Sequence, residues 1–292
     1  MDWMKKAVHH SKCNLLNIYD AKSNIQIDQM ILQALMKANK TNVGLQITLA
    51  QAWNRIDIVK DEIFGALGET TDWERYHRDE KTISGNFHQA LIKNQVGFVK
   101  LYLDNGVVSL EKFLKLTELK MLYIETKYKG ETNVLEKLRS DIKDLTTLNF
   151  DGYLNSSKDS SIQTQHALEL SALRLGSVCG GGWMLEQAPL EDPYRHLFIF
   201  AILNDFEEMA EYFWEEGQEH IASALVASKI YKSQIDKTRA INKEKQERFR
   251  KIEKNYDDLS CEVLDACESQ SEKSDSTNIL LRKLPHWGEK PV

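Results

Sequence analysis

Proline is scarce in this chain. It occurs four times in 292 residues, and the first is Pro189. A proline-free stretch of 188 residues, with apolar residues recurring every three or four positions, predicts helices. Cysteine is also sparse: Cys13, Cys179, Cys261 and Cys267 form no C-x-x-C pair, so they read as reduced thiols rather than a disulfide or zinc framework. Long apolar runs are missing. The longest, Leu197 to Leu203, has seven residues, far short of the roughly 20 that a membrane-spanning helix requires. The opening residues, Met1 to Lys6 followed by His9-His10-Ser11-Lys12, lack the apolar core of a secretory signal, and the cytosol is the expected compartment. Positive charge is not in excess either. A formal net charge of -6 excludes a general nucleic-acid binder and leaves room only for a local basic patch.

What is present fits a folded, soluble, helical chain. Hydrophobic residues make up 42% and charged residues 28%, too apolar for an intrinsically disordered protein. Ile27, Met30, Ile31, Ala34, Leu35 and Ala38 form a helical stripe, with Asn39 placed to cap its end. Phe249, Ile252, Tyr256, Leu259, Val263 and Cys267 repeat the pattern over five turns, with Lys, Arg and Glu on the opposite face. Asn86 followed by Gln89, and Thr71 followed by Glu74, resemble capping boxes at helix starts. Gly106 and Gly217 follow periodic segments and suit the left-handed position that ends a helix. Between about Gly130 and Leu170 the periodicity weakens. The polar run Asn155 to Ser161 predicts an exposed loop or disordered insert, and Glu268 to Thr277 a second interruption.

Three segments superimpose: Leu49 to Phe64, His88 to Val107, and Ile199 to Gly217. Anchored on Asn54, Asn94 and Asn204, they share apolar residues two, five and nine positions later: Ile56, Val59 and Ile63; Val96, Val99 and Leu103; Phe206, Met209 and Phe213. A short apolar helix containing an alanine precedes each anchor. The pattern predicts a helix, a tight turn at the Asn, and a second helix packing back on the first. Such pairs bury their faces by stacking, which makes an irregular α-solenoid. The second segment, ending in Phe98-Val-Lys-Leu-Tyr-Leu-Asp-Asn-Gly-Val107, looks much like an ankyrin repeat. The anchor spacings of 40 and 110 residues depart from the regular period of about 33. The expected fold is therefore all-α: ankyrin-like helical repeats over 1–125, a variable, partly disordered insert over 126–188, a helical pair over 189–235 and amphipathic linker helices over 236–292.

Catalytic signatures are not found. No phosphate-binding, dinucleotide-binding, nucleophile-elbow or HExxH motif occurs. Cys179-Gly-Gly-Gly-Trp183 lacks the Lys and the flanking strand of a phosphate cradle, and a helix-ending turn is the expected meaning. Glu74 and His77 form a single ExxH pair where a di-iron site needs two. His9, His10 and Cys13 lack a fourth metal ligand. Glu208, Glu211 and Glu215 form an acidic stripe, read as a solvated helix face, although a cation or a basic partner helix would suit it. Phe206, Tyr212, Phe213, Trp214, Trp53 and Trp183 are expected to build core. No enzyme activity, cofactor, metal or catalytic residue is assigned.

The ordered motifs carry a family resemblance. Leu49-Ala-Gln-Ala-Trp-Asn-Arg-Ile-Asp-Ile58 resembles the LALAWNR(I/V)DIA signature of transient receptor potential melastatin channels. Phe98 to Val107 is similar to that family's EFVKLFLENGV. Phe113-Leu114, Leu119 and Leu122-Tyr123 match its FL…L..LY run. Trp214 to Lys229 is similar to FWQHGEEAMAKALVACK, Cys261 to Asp265 to a later VELLD element, and Trp287-Gly288 to a Trp before TCLQLA. The resemblance spans nearly the whole chain and is weakest over 126–188.

It implies the cytosolic melastatin homology region of a tetrameric, calcium-permeable cation channel of the plasma membrane, lying between a ligand-sensing domain and six membrane helices. The implied role is a scaffold that mediates subunit contacts and relays ligand sensing to the gate. The implied partners are other channel subunits, with no nucleic acid, and with the membrane met only through segments absent from this chain. The alternative is a free-standing soluble interaction module in the cytoplasm. The residues assigned to structure and interaction are Trp53, packing between helix pairs; Asn54, Asn94 and Asn204, closing turns; Arg55 and Asp57, exposed for a subunit contact; and Trp214.

Overall fold

The computed structural model describes residues 27–39, 42–60, 80–131, 133–146, 190–238 and 242–270. Every regular element among these residues is a helix, so the fold is all-α. The chain divides into two compact units, Met1–Ser109 and Leu110–Val292.

The first unit contains α1 (Ile27–Ala38), α2 (Val43–Ala52), the single turn α3 (Ile56–Ile58), α4 (Glu80–Ile92) and α5 (Val96–Asp104). Helix α1 packs on α2, α2 on α4, and α4 on α5. Helix α2 starts where the Asn42 side chain accepts the Leu45 amide at 2.9 Å. Its core side chains, Ile47 and Ala50, are fully buried, as are Phe87, Ala90 and Leu91 of α4 and Val99 and Tyr102 of α5. Close approach is built in at Gly97. A Cβ there would lie 2.9 Å from Ile56 Cδ1, so glycine lets α5 lie directly against α3.

A polar network runs through this apolar interior. Gln51 is only 4% exposed. Its amide donates to the Asn86 carbonyl at 2.7 Å, and its side-chain oxygen accepts the Tyr102 hydroxyl at 3.0 Å. Its main-chain carbonyl accepts Gln95 Nε2 at 2.8 Å. One side chain of α2 is thereby tied to α4 and α5. Beside it, Asn86 Nδ2 donates to Thr48 Oγ1 at 2.9 Å. Asn86 therefore does not start a helix, as its spacing to Gln89 suggests. It is buried within α4, where its side chain is spent on a neighbouring helix.

Two further expectations are corrected here. The face of α1 that packs is Leu32 and Met36, while Ile27, Ile31 and Leu35 of the predicted stripe are exposed. Trp53 is 38% exposed at the turn after α2 and does not pack between helix pairs.

The second unit contains α6 (Leu110–Phe113), α7 (Leu116–Glu125), α8 (Val134–Thr146), α9 (Pro193–Leu203), α10 (Glu207–Glu215), α11 (His220–Thr238) and α12 (Lys243–Gln270). Helix α9 is almost entirely buried, and it packs on α6, α10 and α11. Proline opens it, and Asp192 caps it by accepting the Arg195 amide at 3.2 Å. Helix α8 falls within the stretch assigned to a variable insert. It is amphipathic, burying Val134, Leu138, Ile142 and Leu145 and packing on α7 and α11. Tyr128 donates to Asp141 of α8 at 2.7 Å. Burial first, then that bond, raises the phenol above its ordinary range. Asn155 to Ser161 and the capping box at Thr71 lie outside the described residues.

Gly106 takes the left-handed conformation expected of it, at φ 64. Gly217 does not, and it follows α10 without a positive φ.

The Gln51 network gives a direct test. Gln51→Leu keeps the volume but removes the acceptor of the buried Tyr102 hydroxyl's bond and the donor to the Asn86 carbonyl. The expected loss is about 2–4 kcal/mol in urea unfolding, whereas the reverse change at exposed Leu45, Leu45→Gln, leaves stability within about 0.5 kcal/mol.

Candidate functional site

The helix-ending turns are the feature that the sequence singles out and the structure repeats. After α2, Asn54 lies at φ 53; after α4, Asn94 lies at φ 54; after α9, Asp205 lies at φ 63. The next residue has nearly the same backbone each time: Arg55 at φ -107 ψ 73, Gln95 at φ -88 ψ 70, Phe206 at φ -96 ψ 78. The hydrogen bonds repeat as well. Arg55 N donates to Ala50 O, Gln95 N to Ala90 O and Phe206 N to Ala201 O, each at 2.9 Å. The left-handed residue donates to the carbonyl three positions back: Asn54 to Gln51, Asn94 to Leu91, Asp205 to Ile202. This is the Schellman closure, which satisfies carbonyls that a helix end would otherwise leave bare. The accepting alanines are fully buried, so the short side chain lets the following helix fold back closely. Asn and Asp tolerate the left-handed conformation better than other non-glycine residues.

Asn54 and Asn94 thus close turns as expected, and Asn204 is displaced by one. It ends α9 at φ -95, and its side-chain amide donates to Phe200 O at 2.8 Å. The left-handed role belongs to Asp205. Asn39 and Asn105 act as Asn204 does, donating to Leu35 O and Leu101 O at 2.8 Å.

In the first unit the two turns touch. Gln95 Nε2, which bonds the Gln51 carbonyl, also lies 3.4 Å from Asn54 Oδ1. On the outer side, Arg55 is half-buried rather than open. Its Nε donates to Asp57 Oδ1 at 2.9 Å and its Nη2 to Asp57 Oδ2 at 2.6 Å, with Asp28 of α1 3.8 Å away. Arg55 is therefore committed to a bidentate pair that braces the turn, while the Asp57 side chain stays 52% exposed. The hydrogen bond from Arg55 is the main cause that holds the Asp57 carboxyl below its ordinary range. Trp53 and Asp57 are both exposed, and Arg55 and Asp57 neutralise one another.

The corresponding turn of the second unit is braced from two sides. Lys127 Nζ donates to Leu203 O at 3.0 Å. Arg248 and Lys245 of α12 pair with Asp205, and both cations also lie over the Phe249 ring. Trp214 closes the next connection. Its indole N–H donates to His220 O at 2.9 Å, and the ring lies edge-on to the His220 imidazole. The acidic stripe Glu208, Glu211 and Glu215 is exposed along α10, opposite buried Met209, Tyr212 and Phe213.

Gln51, Gln95, Asp205, Lys127 and Arg248 carry these contacts without having been singled out. Only Asp205 left a signal, as a second turn-forming residue next to an anchor. Among the described residues no group of His, Cys, Asp and Glu could hold a metal ion. Glu74 with His77, the cluster of His9, His10 and Cys13, the glycine run after Cys179, and Trp183 lie outside them.

Known proteins resemble the chain along nearly its whole length. The family model described as TRPM2-like domain matches residues 72–181 and 132–292. A transient receptor potential cation channel subfamily M member-like 2 from Nematostella vectensis is 28% identical over 298 residues, covering 94% of this chain and 18% of the relative. The Drosophila melanogaster transient receptor potential cation channel trpm is 29% identical over 301 residues, covering 90% and 14%. The human subfamily M member 5 is 27% identical over 312 residues, covering 94% and 26%. The chain thus spans roughly a fifth of the length of these relatives.

The Arg55–Asp57 pair predicts a pH dependence of defined sign. Because Asp57 titrates lower when folded, its contribution is present above the unfolded carboxyl range, near 4, and is lost as pH falls through the folded value. Thermal unfolding of wild type and Asp57→Asn across roughly pH 3–7 is expected to give curves that run parallel above about pH 6 and converge below about pH 4. A constant difference down to the lowest pH would show that the pair contributes no charge-dependent stability.

Proposed function

The chain belongs to the TRPM2-like domain family, and from that membership we propose that it is the cytosolic scaffold and relay segment of a calcium-permeable cation channel. The observation that carries the reading is the match itself: nine-tenths or more of this chain aligns with a fraction of much longer relatives that are named cation channels. No described helix is long and apolar enough to cross a membrane, which fits a segment on the cytosolic face of the plasma membrane.

In this reading the helix pairs stack as ankyrin-like repeats. The Arg55–Asp57 brace and the Asp205–Arg248 brace hold the turns rigid, so that a displacement caused by ligand sensing passes on through packed helices toward the gate. The partners are other subunits of a tetramer. Exposed Trp53, together with exposed Asp57, is the proposed subunit contact, because an indole at an exposed turn suits an interface anchor. The role is mechanical and involves no catalysis or cofactor.

Immunoblotting of fractionated cells with an antibody to this chain, with and without chemical cross-linking, tests the reading. The expected result is a band well above 33.7 kDa in the membrane pellet that cross-links to a tetramer, with the ladder weakened by Trp53→Ala. A soluble band near the mass of the chain alone would contradict it and favour the free-standing module.

A further inference from the structure

Apolar exposure is concentrated in one part of the first unit. Among the described residues six large apolar side chains are exposed, and five of them, Ile27, Ile31, Leu35, Leu45 and Trp53, lie in α1, in α2 or at the turn after it. The three on α1 recur at four-residue spacing, so they form one stripe along the helix, at 58, 46 and 39% exposure. The other side of α1 is already spent. Leu32 and Met36 are buried, and the Met36 carbonyl accepts Gln46 Nε2 of α2 at 2.8 Å.

The stripe is not an ordinary solvent face. A helix open to water on one side carries charged and polar residues there. Gln29 to Met36 contains no charged residue, and Ala38, also exposed, extends the stripe. An apolar face of this kind marks a surface built for a cover.

The sequence holds a segment of matching form. Residues 1–26 lie outside the described residues and run directly into α1. Among them Met4, Val8, Ser11, Leu15 and Ile18 follow one another at four- and three-residue spacing, with Ala7 and Tyr19 beside the row and Leu16 outside it. At the same helical spacing Lys6, His9, His10, Cys13 and Asn17 share the opposite side. Residues 20–26 separate Tyr19 from Ile27, within the about two to eight residues of ordinary helix–helix connections. An apolar segment on so short a tether meets α1 at an effective concentration of about a millimolar. A second copy lacks that advantage, and the net charge of -6 on each chain opposes the approach of two.

From the exposed stripe and the tethered apolar row we infer that residues 4–19 dock on α1 as an antiparallel helix, setting Tyr19 against Ile27, Leu15 against Ile31 and Ser11 against Leu35, with Lys6, His9 and His10 turned to solvent. The segment is then a cover that exchanges an apolar outer face for a polar one, as stacked helix pairs require of the face they show to water. The inference rests on α1 and the segment before it and is independent of the channel reading.

Two measurements on the full chain test it. In the first, Leu15→Cys/Ile31→Cys is oxidised at low protein concentration in a Cys13→Ser background, with His10→Cys/Ile31→Cys as the control for the polar side. The expected result is an intramolecular disulfide, mapped by mass spectrometry, that forms at least about ten-fold faster in the first variant than in the control. In the second, amide hydrogen exchange is compared for wild type and Val8→Glu/Leu15→Glu. Exchange along α1 should rise about ten-fold or more while α5 keeps its protection, which shows that the unit stays folded. Equal disulfide rates in the two cysteine variants, or unchanged exchange along α1, would overturn the proposal. A doubled mass in sedimentation that Ile31→Glu abolishes would overturn it too, by assigning the stripe to a second copy.

Discussion

The fold depends on how its short helices end. A helix of ten or so residues leaves its last carbonyls unsatisfied, and a buried end without partners is costly. Here three ends are closed in the same way. A left-handed Asn or Asp reverses the chain, the residue after it bonds back to a buried alanine, and the next helix begins at once. That one backbone solution sets the short spacing between consecutive helices, and so decides which faces meet. Gly106 repeats it after α5, where the Val107 amide reaches the Tyr102 carbonyl at 2.9 Å.

Once the turns are fixed, polar contacts lock neighbouring helices in register. In the first unit Gln51 bonds α4 and α5 from a single position on α2, and a shift of one helix past another would break both bonds. In the second unit the bracing is ionic and lies at the turn: Arg248 and Lys245 reach Asp205, and Lys127 takes a carbonyl at the end of α9. The buried network favours rigidity because its groups have no water to fall back on. The ion pairs at Asp205 are partly solvated, so they contribute less and respond to salt.

Much of this was legible in the sequence because it is local. Missing proline and three- or four-residue periodicity announce helices. An Asn after an apolar alanine-containing segment announces a turn, and that reading held at Asn54 and Asn94. At Asn204 it failed by one position, since Asn and Asp are both turn formers and adjacent anchors cannot be ranked by pattern alone. Tertiary choices were not legible. Helix α1 carries two apolar stripes, Ile27/Ile31/Leu35 and Leu32/Met36, and only the position of α2 decides that the second is buried. Trp53 invites a core assignment by its size, yet it follows the last turn of α2, where the chain reverses, and it stays 38% exposed. Asn86 has capping chemistry, but a hydrogen bond to Thr48, 38 residues away in sequence, outweighs the local preference. The Arg55–Asp57 pair was found as two exposed charges. That they satisfy one another follows from the backbone of the turn, which holds Arg55 at φ -107 ψ 73 two residues before Asp57, and no charge pattern reveals it.

The central claim, that left-handed turns closed on buried alanines organise the fold, is tested most directly at Asn94, where no ion pair complicates the result. Stability and amide hydrogen exchange are compared for wild type, Asn94→Gly and Asn94→Val. Glycine adopts the observed backbone freely, whereas a β-branched residue is strained there by about 1–2 kcal/mol. The account predicts that Asn94→Gly is at least as stable as wild type with the Gln95 amide still protected, and that Asn94→Val loses stability together with protection at Gln95 and along α5. Asn94→Val with unchanged stability and an equally protected Gln95 amide would contradict it.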